Sequence, residues 1–535
     1  KDEAIAAGRF SWGAKLDGSS VIQPDGVSRA YVAQKDNIKN FYNVGSTFSN
    51  TLAISGGNQD LNFRFSMSNA DSKSVVPNST FSRKSFNLAT NGTLAKKLTF
   101  QSVVQYNVEN GENRSFLSDT PKNPNVAAQL LATSIDIRTL APGVDSRGYE
   151  SLWNDNVYAQ NPYFATNYVK NTDDRNRFMG SFNLRYNLTD NLYAKARLGT
   201  DYNQLKFWQI EPTGIAYNTR GSLSQSERKI TETNAELIIG YTKEIGDYSV
   251  NAFVGGNQMS KVSEGTGISG GQFNVPFNYF PSNLIQSNWN YDYQKFAVNS
   301  VYGSADLSYK NMLFLTLTGR QDWFSTLDPK NNNIFYPAVS TGFVFSDALA
   351  SRPNWLTYGK VRASYATVGG GYPGAYALNL PYTLQSNSYM GYPLMNIGTS
   401  TIPNSQLKPN TTTTTELGFD LKTLDNRLGL DLTLYNRVTE NDAVRASVSS
   451  SSGYSDVLLN VGRVENKGIE VLLTGTPVKT SNLKWDVSYN FAYNDNKVIK
   501  IADGLTNLSM DESRTRNAYI YHFEGQAFGM IAGYR

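Results

Sequence analysis

The sequence predicts an all-β chain that forms a transmembrane antiparallel β-barrel, and three observations lead to this prediction. Segments of about ten residues alternate apolar and polar side chains, the period of a strand with one oily and one wet face. Short turns and long polar loops follow each other along the chain, as at the two rims of a membrane barrel. The 33 Tyr and 27 Phe among 535 residues match the aromatic belts of such barrels.

The clearest alternation lies in residues 428–436, where four leucines share one face and Asp431 and Thr433 lie on the other. Residues 484–494 repeat the pattern with aromatic side chains such as Trp485 and Phe491. A soluble β-sandwich alternates in the same way, so the alternation alone leaves water and lipid equally open. The loop lengths favour the membrane barrel.

Alternation predicts about sixteen strands, in the order 47–55, 61–70, 83–93, 98–108, 177–188, 192–205, 229–243, 248–257, 294–308, 312–323, 336–346, 360–368, 411–422, 428–441, 466–476 and 484–497. Tight turns are predicted at residues 56–60, 95–97, 189–191, 245–247, 309–311, 424–427 and 479–482. Long loops are predicted at residues 111–174, 260–293 and 369–410.

Composition excludes several classes of protein. Hydrophobic residues make up 40% of the chain and the mean hydropathy is −0.42, and no stretch approaches the roughly 20 apolar residues of a membrane helix. The absence of cysteine from the 535 residues removes disulfides, thiolate metal sites and cysteine nucleophiles. The 49 basic and 45 acidic residues leave a net charge of +4, which is too small to indicate nucleic-acid binding.

The order of the turns predicts where this chain lies in a larger barrel. The first readable strand is followed by a short turn, whereas the first strand of a bacterial barrel runs outward to a long loop. We therefore expect a missing first strand before Lys1, with residues 1–46 as an outer loop region. Residues 47–535 form part of the barrel, and we expect further C-terminal strands after Arg535.

Several segments resemble one family of transporters. They are SWGAKLDG at residues 11–18, LTGRQDWFST at 317–326, YPAVS at 336–340, KVRASY at 360–365 and NVGRVENKGIE at 460–470. Together they follow the order of the SusC/RagA-like TonB-dependent transporters of Bacteroidota outer membranes, with Ala14 where that family commonly has proline.

The resemblance implies a barrel of about 22 strands with a plugged lumen in the outer membrane. It implies import of bulky nutrients, with oligosaccharides favoured and peptides, as for RagA, the alternative. The implied partners are a SusD-like surface lipoprotein, the lipid bilayer, and the TonB-ExbB-ExbD complex acting through N-terminal parts. The sequence shows no plug segment and no TonB box, which are expected outside these residues.

Two other classes remain open from the sequence. A passive porin or an adhesive outer-membrane barrel shares the alternation, and a secreted β-sandwich enzyme needs convergent carboxylates. The sequence predicts no enzyme, cofactor or metal site. His522 is interpreted as an ordinary loop residue, and two acidic pairs, Asp173 with Asp174 and Asp511 with Glu512, are interpreted as solvated. The glycines at 369–371 are interpreted as a flexible loop root rather than a phosphate cradle.

Ligand chemistry is most legible in the loop at residues 369–410, which contains the candidate substrate-binding residues Tyr372, Tyr376, Tyr382, Tyr389 and Tyr392. Aromatic faces stack on sugar rings, and the nearby asparagines bond hydroxyl groups. Packing of the same tyrosines against a lid lipoprotein or neighbouring loops is the favoured alternative. Lumen-facing arginines suit either cargo, and we expect them at Arg64, Arg185, Arg197, Arg320 and Arg362.

Overall fold

The computed structural model describes residues 1–370, 373–502, 504–512 and 517–533, without the side chains of Ser386, Val444, Ala446, Ser447, Val461, Asp511 and Glu512. Its residues divide into two compact units, each described by itself. One contains Lys1–Asn183, Leu198–Thr233 and Lys261–Gln294, and the other contains Leu184–Arg197, Asn234–Ser260 and Lys295–Arg535.

Strands dominate the described residues. The first fourteen are β1 Ser20–Ile22, β2 Ser28–Ala30, β3 Ser46–Gly57, β4 Leu61–Lys73, β5 Thr80–Ala95, β6 Leu98–Glu112, β7 Lys170–Asn187, β8 Leu192–Glu211, β9 Ser222–Ile245, β10 Tyr248–Phe273, β11 Leu284–Tyr309, β12 Leu313–Phe324, β13 Asn333–Phe343 and β14 Leu356–Gly370. The others are β15 Tyr382–Tyr389, β16 Tyr392–Ile397, β17 Thr401–Ile402, β18 Asn410–Thr423, β19 Leu428–Ser447, β20 Asp456–Lys479, β21 Lys484–Lys500, β22 Asn507–Glu512, β23 Ala518–Phe523 and β24 Met530–Gly533.

Helices are short and lie in the connections. They are α1 Asp2–Ala7, α2 Asn37–Phe41, α3 Pro124–Leu130, α4 Pro162–Asn167 and α5 Phe345–Ala348, with 3₁₀ segments at Ile137–Leu140, Pro281–Asn283 and Ser450–Ser452. Among the described residues, no helix has both the length and the apolar character needed to cross a membrane.

The sixteen predicted strands are confirmed as β3 to β14 and β18 to β21. The seven predicted tight turns are confirmed as well, since each falls between two consecutive strands of this set. Within the second unit, β11 to β14 and β18 to β21 pair antiparallel, each with the next one in this order. The third predicted loop holds the hairpin β15–β16 and the short strand β17.

One prediction about the loops is wrong. The loop predicted at 260–293 is mostly strand, because β10 continues to Phe273 and β11 begins at Leu284. Glycine and serine are frequent at the end of β10 and hide its alternation, although pairing with neighbouring strands still stabilises it. Gly369 and Gly370 pair with Thr411 and Asn410 at the end of β14, where the loop begins, and Gly371 lies outside the described residues.

The pairing register shows which residues share a face in the sheet of the second unit. One row across neighbouring strands is apolar: Leu313, Phe343, Val361, Phe419, Leu432, Val471 and Phe491. The adjacent row, one residue away on each strand, is Phe314, Gly342, Arg362, Gly418, Thr433, Glu470 and Ala492. We call the face of the first row the outer face and the face of the second the inner face. Apolar side chains on the outer face remain accessible, with Phe491 46% exposed.

The first unit contains a core outside the long strands. The N-terminal residues and the connection between β6 and β7 contribute to it: Ile5, Val21, Tyr31, Phe41, Ala127, Ala128, Leu131, Ala132, Ile135, Ile137, Leu140 and Trp153. Asn37 fastens the two segments, because its Nδ2 donates to the Ile135 carbonyl at 2.7 Å and its Oδ1 accepts from the Ile137 amide at 3.0 Å. The long connection is therefore an ordered structure.

Candidate functional site

Arg362 ties three strands together on the inner face. Its Nη1 donates to both carboxylate oxygens of Asp420 at 2.7 Å, and its Nη2 donates to Asp431 Oδ1 and Thr433 Oγ1, also at 2.7 Å. The side chain lies over Gly418, where any Cβ would meet the guanidinium. A planar guanidinium has the geometry for such forked contacts with carboxylates. Arg362 therefore holds β14, β18 and β19 in register.

Two open pockets of the inner face share Arg362 as a wall. One, of about 360 Å³, also includes Lys360, Ser364 and Glu416. The other, of about 440 Å³, also includes Glu470 and further polar groups. The amine of Lys360 lies 5.6 Å from the centre of the Phe314 ring. These surfaces offer charges, hydroxyls and amides, which suit contact with water and polar solutes.

The other arginines predicted to face the lumen have mixed surroundings. Arg320 donates from Nε to Asp322 Oδ1 at 2.8 Å and from Nη2 to Ser300 Oγ at 2.7 Å. The guanidinium of Arg185 lies 3.8 Å from the centre of the Tyr193 ring, a cation–π contact. The structure gives no contact for Arg64 that decides its role. For Arg320, Arg362 and Arg185, the contacts fit a structural role on the wall.

Three of the predicted tyrosines lie on one exposed hairpin. Tyr382 is 66% exposed near its base, and Tyr389 and Tyr392 are 63% and 75% exposed at its tip. The last two face each other across the turn, where Met390 and Gly391 have φ angles of 48° and 81°, as a two-residue hairpin turn requires. Tyr376 precedes the hairpin and is half exposed, and Tyr372 lies outside the described residues.

The chain before and after this hairpin is fixed to the sheet. Leu407 is fully buried with Val298, Phe324 and Leu327 in a small core, and Leu378 packs against it. The Lys408 amide donates to Asn460 Oδ1 at 2.6 Å, and Asn460 Nδ2 donates to the Lys408 carbonyl at 2.8 Å. The tyrosines are therefore mounted on an anchored support, a feature that the sequence analysis missed. Isolated leucines in a polar loop are the signal that could have revealed it.

A buried carboxylate organises the connection between β6 and β7. Glu150 accepts hydrogen bonds from the Asn161 amide at 2.7 Å, the Ala216 amide at 2.9 Å and Gln160 Nε2 at 3.2 Å. Burial is the largest influence on Glu150 and raises the pKa of its carboxyl, opposed by these donors. The side chain thus joins this connection to the one between β8 and β9.

Two of the residues considered for catalysis, His522 and Asp173, have structural partners, and the side chains of Asp511 and Glu512 lie outside the described part of the chain. His522 is not the loop residue that was predicted, because it is buried on β23 and its Nδ1 accepts from the Gly529 amide at 3.2 Å. Asp173 is not simply solvated, because Arg114 donates to both of its oxygens, from Nε at 2.5 Å and from Nη2 at 3.0 Å. Within the described part of the chain, no cluster of three or more His, Cys, Asp or Glu fits a metal ion.

Comparison with known proteins identifies the barrel. A family model described as TonB dependent receptor-like, beta-barrel, matches residues 133–520. The TonB-dependent receptor P39 of Formosa agariphila is 25% identical over 500 residues, which cover 90% of this chain and 45% of the relative. The TonB-dependent receptor SusC of Bacteroides thetaiotaomicron is 23% identical over 533 residues, covering 94% of this chain and 51% of the relative.

The fold also matches solved structures. A chain of the RagAB peptide transporter superposes with a TM-score of 0.78 at 17% identity, covering 92% of this chain and 55% of that one. At this identity the likeness concerns the fold. The chain spans about half the length of the curated relatives SusC and P39.

Proposed function

The chain belongs to the TonB dependent receptor-like β-barrel family, and we propose that it forms part of the wall of an outer-membrane importer for bulky polar nutrients. The wall has the two faces that this role needs, an apolar outer face for lipid and an inner face of charges, hydroxyls and amides. A wide pore of this kind leaks unless it is plugged and gated. Membership of the TonB dependent receptor-like family supports the proposal that the TonB-ExbB-ExbD complex supplies the energy for import.

We propose oligosaccharides as the cargo, and the exposed tyrosine hairpin carries this assignment. Tyr382, Tyr389 and Tyr392 present aromatic surface above an anchored base, and nearby Asn396 accepts from Gln385 Nε2 at 2.5 Å. Aromatic faces pack on the apolar faces of sugar rings while amides bond hydroxyls. A SusD-like lipoprotein is the proposed partner, and it would close over the same loops.

Peptides are the second candidate cargo. The observation that favours them is the fold shared with the RagAB peptide transporter. Extended peptides recognise exposed strands through their backbone, and the hairpin offers strand edges as well as tyrosines. A passive porin and an adhesive barrel need neither TonB nor a lid.

Uptake assays distinguish these functions. Cells that make the full-length protein are given labelled oligosaccharides or labelled oligopeptides, with and without TonB. We expect TonB-dependent uptake of oligosaccharide, reduced at least about tenfold when all three hairpin tyrosines are replaced by serine, since each aromatic contact contributes about 0.5–1.5 kcal/mol. Leu117→Ser, at an 84% exposed residue in the connection between β6 and β7, serves as the control at equal surface level.

Each other outcome selects another function. Uptake of peptide alone would replace the oligosaccharide assignment. Uptake that persists without TonB would indicate a porin, and surface attachment without uptake would indicate an adhesive barrel. Equal oligosaccharide uptake by the tyrosine variant and the Leu117 control would refute the role of the hairpin.

A further inference from the structure

The connection between β13 and β14, residues 344–355, folds back onto the outer face of the sheet. Its first aromatic residue, Phe345, stacks on Phe419 with ring centres 6.0 Å apart and planes 12° from parallel. Phe419 belongs to the apolar outer row, so this fixes the side on which Phe345 lies. The ring also covers Gly359, where any Cβ would clash with it. Gly359 thus provides a seat for Phe345.

Hydrogen bonds fasten this connection at both ends. The Val344 amide donates to the Met312 carbonyl at 2.7 Å, and Val344 is buried. Arg352 Nη1 donates to the Thr357 carbonyl at 2.7 Å. The Trp355 carbonyl accepts from the Leu424 amide at 2.9 Å in the neighbouring turn. The connection is therefore a fixed projection on the outer face.

The projection presents an amphipathic surface. Leu349 is 45% exposed and Trp355 53% exposed, and neighbouring Leu424 is 50% exposed. Arg352 lies between Leu349 and Trp355 in the sequence and has a half-exposed side chain, 3.6 Å from Asp347. Tryptophan and basic side chains next to an apolar surface are the composition of a membrane–water interface. A water-facing turn has no need to expose Leu349 and Trp355 together.

We propose that residues 344–355 form a foot that binds the phospholipid headgroup layer at the rim where the short turns lie. The occupant follows from continuity: the foot lies on the apolar outer face, which meets lipid in a barrel of this family. At the rim where the short turns lie, the apolar face ends at the level of the lipid headgroups. Trp355 and Leu349 enter the headgroup boundary, and Arg352 extends toward lipid phosphate.

Fluorescent probes test this contact. The 535 residues contain no cysteine, so single-cysteine variants Leu349→Cys and Trp355→Cys of the full-length protein, with any other cysteine replaced by serine, are labelled with a polarity-sensitive dye. The protein is reconstituted in vesicles of phosphatidylethanolamine and phosphatidylglycerol. We expect blue-shifted emission that nitroxide-labelled headgroups quench and that iodide leaves largely unquenched. A probe at Ser481→Cys, exposed in the short turn between β20 and β21 on the same rim, is the water-exposed control.

A glycine pair tests the mechanism. Gly359→Ala should push Phe345 off its seat and make the Leu349 probe at least about twofold more accessible to iodide. Gly475→Ala should leave it unchanged, because that Cβ meets only Leu428 Cδ2 at 3.7 Å.

Two results would overturn the proposal. Quenching of both foot probes by iodide as strongly as the Ser481 probe would place the foot in water. Shielding from both iodide and nitroxide lipid would mean that a protein covers it. The fluorescence of these probes does not depend on cargo, so either result leaves the importer proposal to be tested by the uptake assays.

Discussion

Leu432→Arg is the sharpest test of which face of the sheet meets lipid. Leu432 lies in the apolar outer row, paired with Phe419 on one side and Val471 on the other. It is four residues from the start of β19 at Leu428. Four residues at about 3.4 Å, on a strand tilted by about 40°, rise about 10 Å into an apolar band about 25 Å tall. Leu432 is therefore close to the midplane, where arginine costs about 2–4 kcal/mol.

The matched control places the same charge on the opposite face. Asn490 is exposed on the inner face of β21, in the pocket that also contains Asp431 and Glu470. Asn490→Arg should change the free energy of unfolding by no more than about 0.5 kcal/mol. Asp431→Asn should also be tolerated, because Arg362 keeps its two bonds to Asp420.

The assay compares guanidinium unfolding of each variant in lipid vesicles, followed by tryptophan fluorescence, with the level of heat-modifiable barrel in outer membranes. Leu432→Arg should lower both the unfolding midpoint and the assembled level. Similar behaviour of Leu432→Arg and Asn490→Arg would show that the assignment of inner and outer faces is wrong.

Three further predictions concern the inner wall and the loops. Gly418→Ala should displace Arg362 and lower the unfolding free energy by about 1–3 kcal/mol, whereas Gly475→Ala should have little effect in the same titration. Glu150→Ala leaves three donors without their acceptor, at a cost of about 1–3 kcal/mol for each buried group, so hydrogen exchange in the connection between β6 and β7 should accelerate; Glu150→Gln should accelerate it less. Leu407→Ala should lower the free energy of unfolding by about 2–5 kcal/mol and loosen the tyrosine hairpin. Limited proteolysis should then cleave near the hairpin while the sheet resists.

The sequence was most informative where one face of a strand is apolar. In β19 and β21 the alternation is nearly perfect, and the predicted strands coincide with the observed ones at their starts. In β10 it failed beyond Asn257, where most residues are polar or small. In β11 the strand before Gln294 was missed although Trp289 and Tyr291 alternate with polar residues there. A strand in polar surroundings is stabilised by pairing with its neighbours, and a one-dimensional pattern does not record that pairing.

The candidate site divides in a similar way. Sequence pointed to the tyrosine-rich loop and to Arg362 as a lumen-facing residue, because side-chain type and parity along a strand are local properties. It did not show that Arg362 is held by Asp420 and Asp431, which are 58 and 69 residues away. Nor did it show that Leu407 anchors the hairpin, since burial depends on what packs from elsewhere.

The sequence by itself determined the fold class, the number and order of the long strands, the tight turns and the apolar side of each strand. It could do so because successive side chains of a strand point to opposite faces, a property that is fixed within each segment. Only the tertiary structure decided which residues share a row across strands, which charges are paired, and where a loop is anchored. Register and loop packing join residues far apart in the chain, and their free energy exists only when those residues meet.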